Sequence, residues 1–157
     1  FMGQDFGQRR EWSEERELDW PCLEDPRHQA LAGFVRELLR LYQKYPALYG
    51  TDDTWDGFQW VNANDGDRSI FSFMRLSPTG RNNLLFVINF TPVDRPDYRV
   101  GVPKKKRYTR ILASDGMDGQ EPITEPKIYL ATKGECDGQP CSVAYPLPGY
   151  GVAIFKF

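Results

Sequence analysis

The sequence contains a single histidine, three cysteines and no strong excess of either charge. It also has no apolar run approaching the roughly 18 residues that cross a bilayer as a helix. Each scarcity excludes something. Cys22, Cys136 and Cys141 cannot all pair within one chain, and they read as reduced thiols. The segment from Cys136 to Cys141 could close as a small disulfide loop or offer two thiolates to zinc. A structural zinc wants about four ligands, and with only His28 to add, a metal site is rejected. A net charge of -2 provides no long-range field for nucleic acid or anionic lipid. No secretory signal is visible, so a soluble, cytoplasmic protein is expected.

What is present is an ordinary globular mixture, 40% apolar and 27% charged, over 157 residues. That length buries one core with a short appendage, not two full domains. Asp25-Pro26 reads as a helix start, because Asp25 can cap free amides and Pro26 at the first helical position loses no hydrogen bond. Leu31, Phe34, Val35, Leu38, Leu39, Tyr42 and Tyr45 then recur at three- and four-residue intervals, the signature of one amphipathic helix. Pro46 ends it by pushing Tyr45 out of helical geometry. His28, in the first turn without a Ser or Cys in a triad-like context, reads as a solvated polar residue.

Beyond Tyr49 the period becomes two. Phe58 to Asn62, Ile70 to Leu76, Leu84 to Phe90, Arg107 to Ala113, Ile128 to Thr132, Ser142 to Leu147 and Val152 to Phe157 are short β-branched or aromatic runs between turn clusters. Ser77-Pro78-Thr79-Gly80 should join the second and third as a hairpin. Short strands joined by loops predict a mainly β fold, an antiparallel β-sandwich, after one long helix. Trp60 is expected in its core. Pro103 to Arg107, a basic run between two strands, is expected as an exposed hairpin turn.

Ahead of the helix, Phe1 to Trp20 reads as the end of a strand released by Gly3 into a loop dense in amides, carboxylates, arginines and tryptophans. Such a loop suits a ligand and needs a scaffold. A loop plus one helix is not a domain, so residues 1-50 look like the last β-loop-α unit of a larger α/β body and residues 51-157 like an appended all-β domain.

Several segments carry a resemblance: Phe1-Met2-Gly3-Gln4-Asp5-Phe6-Gly7-Gln8, Arg10-Glu11-Trp12, Leu18-Asp19-Trp20, Asp25-Pro26-Arg27-His28-Gln29, Tyr45-Pro46-Ala47-Leu48, Gly57-Phe58-Gln59-Trp60, Arg68 to Phe73, Asn89 to Val93 and Tyr98 to Pro103. In this order they resemble the C-terminal part of bacterial 1,4-α-glucan branching enzymes, of the α-amylase superfamily. The resemblance implies that Phe1 to Gly3 end the eighth strand of a (β/α)8 barrel, that Gln4 to Glu24 follow it, and that the Pro26 helix is the eighth barrel helix. Chemistry in such barrels sits at the C-terminal ends of the strands, so the Gln4 to Trp20 loop is expected to face the active-site cleft. There are departures. Asp5 stands where the family commonly has Glu, Pro21-Cys22 where a His usually follows, Lys105-Lys106 in place of a Gly-containing turn, and Asp118-Gly119-Gln120 in place of a longer glycine-rich insertion.

The implied reaction cleaves α-1,4 links and transfers the chain to a 6-hydroxyl, making α-1,6 branches in glycogen biosynthesis. Its retaining route needs two carboxylates about 5 Å apart. In the family these precede the region matched here, so no residue of this chain is assigned as catalytic and the isolated chain is expected to be inactive. No cofactor is assigned. Glu11, Glu14, Glu15, Glu17 and Asp19 read as a solvated run. Gln4 and Asp5, just past the strand end, are candidate substrate-binding residues. So is Trp12, whose flat face can stack on glucose; Trp20, beside Leu18 and Leu23, reads as core. The implied partner is α-glucan in the intact enzyme, and the helix stripe is expected to be exposed and to drive self-association. The alternatives are a stand-alone α-glucan-binding sandwich, or a piece of a debranching or trehalose-releasing relative.

Overall fold

The computed structural model describes residues 1–114 and 120–157. After an irregular loop and a 3-10 turn at Trp20–Glu24, helix α1 spans Pro26–Lys44. Its ends are those the sequence predicts. The Asp25 carboxylate accepts from the Arg27 amide at 2.9 Å, Pro26 occupies the first turn, and extended Tyr45 closes the C-terminus by donating to the Leu41 carbonyl. Among the described residues nine strands follow: β1 Phe58–Asp65, β2 Ile70–Arg75, β3 Leu84–Asn89, β4 Arg95–Val102, β5 Arg107–Ser114, β6 Lys127–Leu130, β7 Thr132–Cys136, β8 Gln139–Leu147 and β9 Val152–Lys156.

They form two sheets, ordered β1-β2-β3-β9-β5-β6 and β4-β8-β7, with antiparallel pairing throughout. The inward faces meet in one core of Ile70, Met74, Leu85 and Val87 against Val100, Val102, Val143 and Tyr145, joined by Tyr108 and Phe155. This is the sandwich expected from the strand pattern. Alternation then decides the outer face. Leu84 and Ile154 point outward, and a register shift between Arg110 and Leu112 turns Leu112 outward with them. Helix α1 covers these three with Phe34, Leu38 and Leu41. The helix stripe is thus split: one half lies on the sandwich, while Leu31, Leu39 and Tyr42 remain exposed.

Several expectations change. Trp60 is 51% exposed, not core. It stands on the uncovered outer face of β1, where its ring meets Phe58 edge-on at 5.0 Å and Phe73 at 5.8 Å. The run Ile128 to Thr132 is two strands rather than one, because the chain switches sheets at Ala131, whose amide donates to the Lys106 carbonyl. The basic turn after Pro103 is exposed as expected but is no hairpin, since β4 and β5 belong to different sheets. Phe1 to Gly3 form no strand, having no neighbouring strand to pair with among the described residues. The Ser77 to Gly80 turn does join β2 and β3, with Gly80 donating to the Ser77 carbonyl at 2.8 Å. Of the shortened insertion, Asp118 and Gly119 lie outside the described residues. No described helix is long and apolar enough to cross a membrane.

Candidate functional site

The loop before α1 is built from short-range geometry. Gly3 and Gly7 both adopt positive φ, +78° and +70°, which glycine alone adopts without strain. Between them the chain makes a tight turn, with Gly7 donating to the Gln4 carbonyl at 3.2 Å and Gln8 to the Gly3 carbonyl at 2.9 Å. The close approaches require the glycines too. A Cβ on Gly3 would stand 2.6 Å from the Gln8 side chain, and one on Gly7 would stand 2.8 Å from Leu31 of α1.

Three groups fix this turn to the body. Phe6 is buried beneath it and stacks on Trp20 at 5.3 Å. His28 bonds through Nδ1 to the Phe6 carbonyl at 2.7 Å, so it is a brace between loop and helix rather than a solvated residue. Gln8 spans the loop: its amide nitrogen donates to the Arg10 carbonyl and its amide oxygen accepts from the Asp19 amide, both at 2.9 Å. Arg10 then donates to the Asp19 carboxylate at 2.9 Å. That bond holds the Asp19 carboxyl below its usual range, with a smaller contribution from Cys22. Trp20 is half exposed, contrary to a core role, because only one ring face is covered.

What the turn presents to solvent is Gln4 and Asp5, both exposed. Trp12 lies on the following segment, half-buried, with Phe1 edge-on to its ring at 5.4 Å. The structure does not place Trp12 on the Gln4–Asp5 turn. Glu11, Glu14, Glu15 and Glu17 are exposed, and retaining glycosyl transfer needs a paired, environment-tuned set of carboxylates. The loop instead offers hydrogen-bonding side chains on a braced backbone, the equipment for positioning a polyhydroxylated ligand. Among the described residues no group of three His, Cys, Asp or Glu side chains is placed to hold a metal, and all three cysteines are unpaired. Sequence reasoning missed Phe6, Gln8 and His28 as the bracing set; the glycine pair flanking Phe6 was the available signal.

The described residues form a two-sheet antiparallel sandwich, an all-β domain, preceded by one helix and a braced polar loop. The family described as alpha amylase, C-terminal all-beta domain, matches residues 60–157, and the chain belongs to it. The 1,4-alpha-glucan branching enzyme GlgB of Butyrivibrio fibrisolvens is 48% identical over the whole of this chain, which covers 25% of that protein. That of Marinobacter nauticus is 40% identical over 99% of the chain, covering 25% of the protein. That of Aquifex aeolicus is 43% identical over 75% of the chain, covering 19%. The chain thus spans about a quarter of the length of the relatives it matches.

Proposed function

We propose that this chain is the C-terminal part of a 1,4-α-glucan branching enzyme, in which the sandwich buttresses α1 and α1 holds the Gln4 to Trp20 loop against the glucan. The observation that carries the reading is the braced turn: two positive-φ glycines, buried Phe6, Gln8 and the His28 bond fix Gln4 and Asp5 in solvent with no structural partner role for their side chains on the loop. In this reading residues 1-50 belong to the catalytic barrel and residues 51-157 form the C-terminal domain. The chain supplies no catalytic carboxylates, and alone it makes no branches. Gln4 and Asp5 hydrogen-bond glucan hydroxyls, and Trp12 stacks on a glucose ring. Three unpaired thiols support a cytoplasmic setting.

The exposed half of the α1 stripe, Leu31, Leu39 and Tyr42, leaves apolar surface open on the chain. Apolar surface of this extent finds partners, so the isolated chain self-associates through it.

The loop's role is tested in a graft, with this chain replacing the matching quarter of the Butyrivibrio relative. Asp5→Ala and Trp12→Ala each raise KM for amylose by about tenfold, the equivalent of one good hydrogen bond or ring contact. Glu14→Ala, on a solvated residue, leaves it unchanged. Equal effects for all three would contradict the assignment.

A further inference from the structure

The C-terminal half of α1 and the outer face of the larger sheet enclose a cavity of about 400 Å³. Leu41 and Ile111 form its apolar wall. Its polar lining is Glu37, Arg40 and Lys44 from α1, Thr109 from β5, Lys156 from β9 and Thr124 from the segment before β6. The charges do not balance. Three cations face one carboxylate, and Glu37 is already paired with Arg40. Lys44 has a structural duty of its own: it lies in the last turn of α1, where a cation complements the helix dipole, and its ammonium stands 5.6 Å from the centre of the Tyr45 ring. Lys156 has none. It shares the outward face of β9 with Ile154, and its cross-strand neighbours are fully buried Leu84 on one side and Thr109 on the other. Lys156 is half-buried, and among the described residues its ammonium has no ion-pair or hydrogen-bond partner. A cation held partly out of water on a central strand costs stability unless an anion meets it.

We infer that this cavity is a site for a phosphorylated monosaccharide, its phosphate held by Lys44 and Lys156 and its hydroxyls by Thr109 and Thr124. Lysine binds phosphate as a point charge, without the planar fork that arginine offers a carboxylate, and the one arginine here is engaged by Glu37. The volume lies within the roughly 300–1,000 Å³ of small-molecule clefts, which leaves room for a sugar ring beside the phosphate. The threonine hydroxyls both donate and accept, as sugar hydroxyls require. Nucleic acid is disfavoured by the chain's net charge of -2. The site lies at the opposite end of α1 from the loop, so its failure leaves the proposed function intact.

The test is isothermal titration calorimetry of the 157-residue chain at low salt, with glucose 6-phosphate, inorganic phosphate and glucose as ligands. Glucose 6-phosphate gives saturable binding, inorganic phosphate binds more weakly and glucose gives none. Lys156→Met, which keeps the stem and removes the charge, and Lys44→Gln each weaken glucose 6-phosphate binding by about tenfold, as expected for loss of one charge-assisted bond. Lys133→Gln, on exposed β7 of the smaller sheet, leaves it unchanged. Lys44→Gln, at an exposed helix position, keeps the test open should Lys156→Met fold poorly. Absence of saturable binding, binding indifferent to both cavity substitutions, or glucose binding as tightly as its phosphate overturns the inference. Inorganic phosphate binding as tightly as glucose 6-phosphate overturns it too, leaving an adventitious ion only. An effect of Lys133→Gln equal to that of Lys156→Met would reduce the binding to general charge attraction, and the site would fail.

Discussion

Gly7 and Tyr98 show how single residues settle between structure and function. Gly7 combines positive φ with the close approach of Leu31, so Gly7→Ala both strains the turn and forces apart loop and helix. The expected cost is about 1–3 kcal/mol, measured by chemical denaturation. His28→Ala loses the bond to the Phe6 carbonyl, about 0.5–1.5 kcal/mol, and loosens the same turn. Tyr98 behaves oppositely. Its hydroxyl is buried with no hydrogen-bond partner among the described residues, so Tyr98→Phe keeps or raises stability by up to about 1 kcal/mol. Of these, only Gly7 carried a signal in the sequence, as one of the glycine pair flanking Phe6. His28 has an ordinary first-turn position in sequence, and its role comes from a carbonyl 22 residues away. Trp60 alternates with Phe58 as a core residue would, but alternation tells which residues share a face and not which face is covered.

At the scale of elements, the helix was the most legible part, because its signals are local: an Asp cap, a Pro at the first turn and a Tyr-Pro stop. Asp25→Ala removes the cap on the Arg27 amide and is expected to lower the melting temperature. Two strands were missed. β4 carries Pro96 and Asp97, residues that strand propensity disfavours, and β7 is polar and exposed along its length. Both are edge strands of the smaller sheet, so half of each faces water and the apolar pattern thins. The turn joining β7 to β8 did carry a signal, Asp137-Gly138, both at positive φ as a two-residue hairpin requires. The half-covered α1 stripe gives a further prediction. Leu39→Lys, placing a charge at an exposed helix position, should shift the chain toward monomer in sedimentation at high concentration while leaving its melting temperature within a degree or two; unchanged self-association would remove α1 from the contact.

The sandwich packs one core between its sheets and a second apolar cluster under α1, and its buried and half-buried ionisable groups set the alkaline limit. Burial pushes the Tyr108 phenol up to about 12. Burial, and then Asp137 beside it, pushes the Cys136 thiol up to about 11. Tyr98 is raised as well, again chiefly by burial. Each group holds its proton more tightly folded than unfolded, so its contribution is fully present below the unfolded values of 9.0 for the thiol and 10.0 for the phenols. It is lost as pH rises through the folded values. Melting temperature should therefore be level to about pH 8.5 and fall steadily to pH 12, with a shallower fall in Cys136→Ser. A flat profile would show that these groups are open to solvent.

At this scale the architecture, a sandwich behind a single helix, was legible from strand spacing and turn residues. The division between sheets was not, because a crossover and a hairpin leave the same turn chemistry in sequence. The chain is similar to branching enzymes across its full length; in it the sandwich supports a helix, and the helix supports a loop whose tip, Gln4 and Asp5, is exposed. The decisive measurement is α-1,6 linkage formation on amylose by the Butyrivibrio enzyme carrying this chain in place of its matching quarter. Beside it stand that enzyme lacking the quarter and this chain alone. The account predicts branches from the graft and none from either piece. A folded graft that makes no branches, or branching by this chain alone, would contradict it.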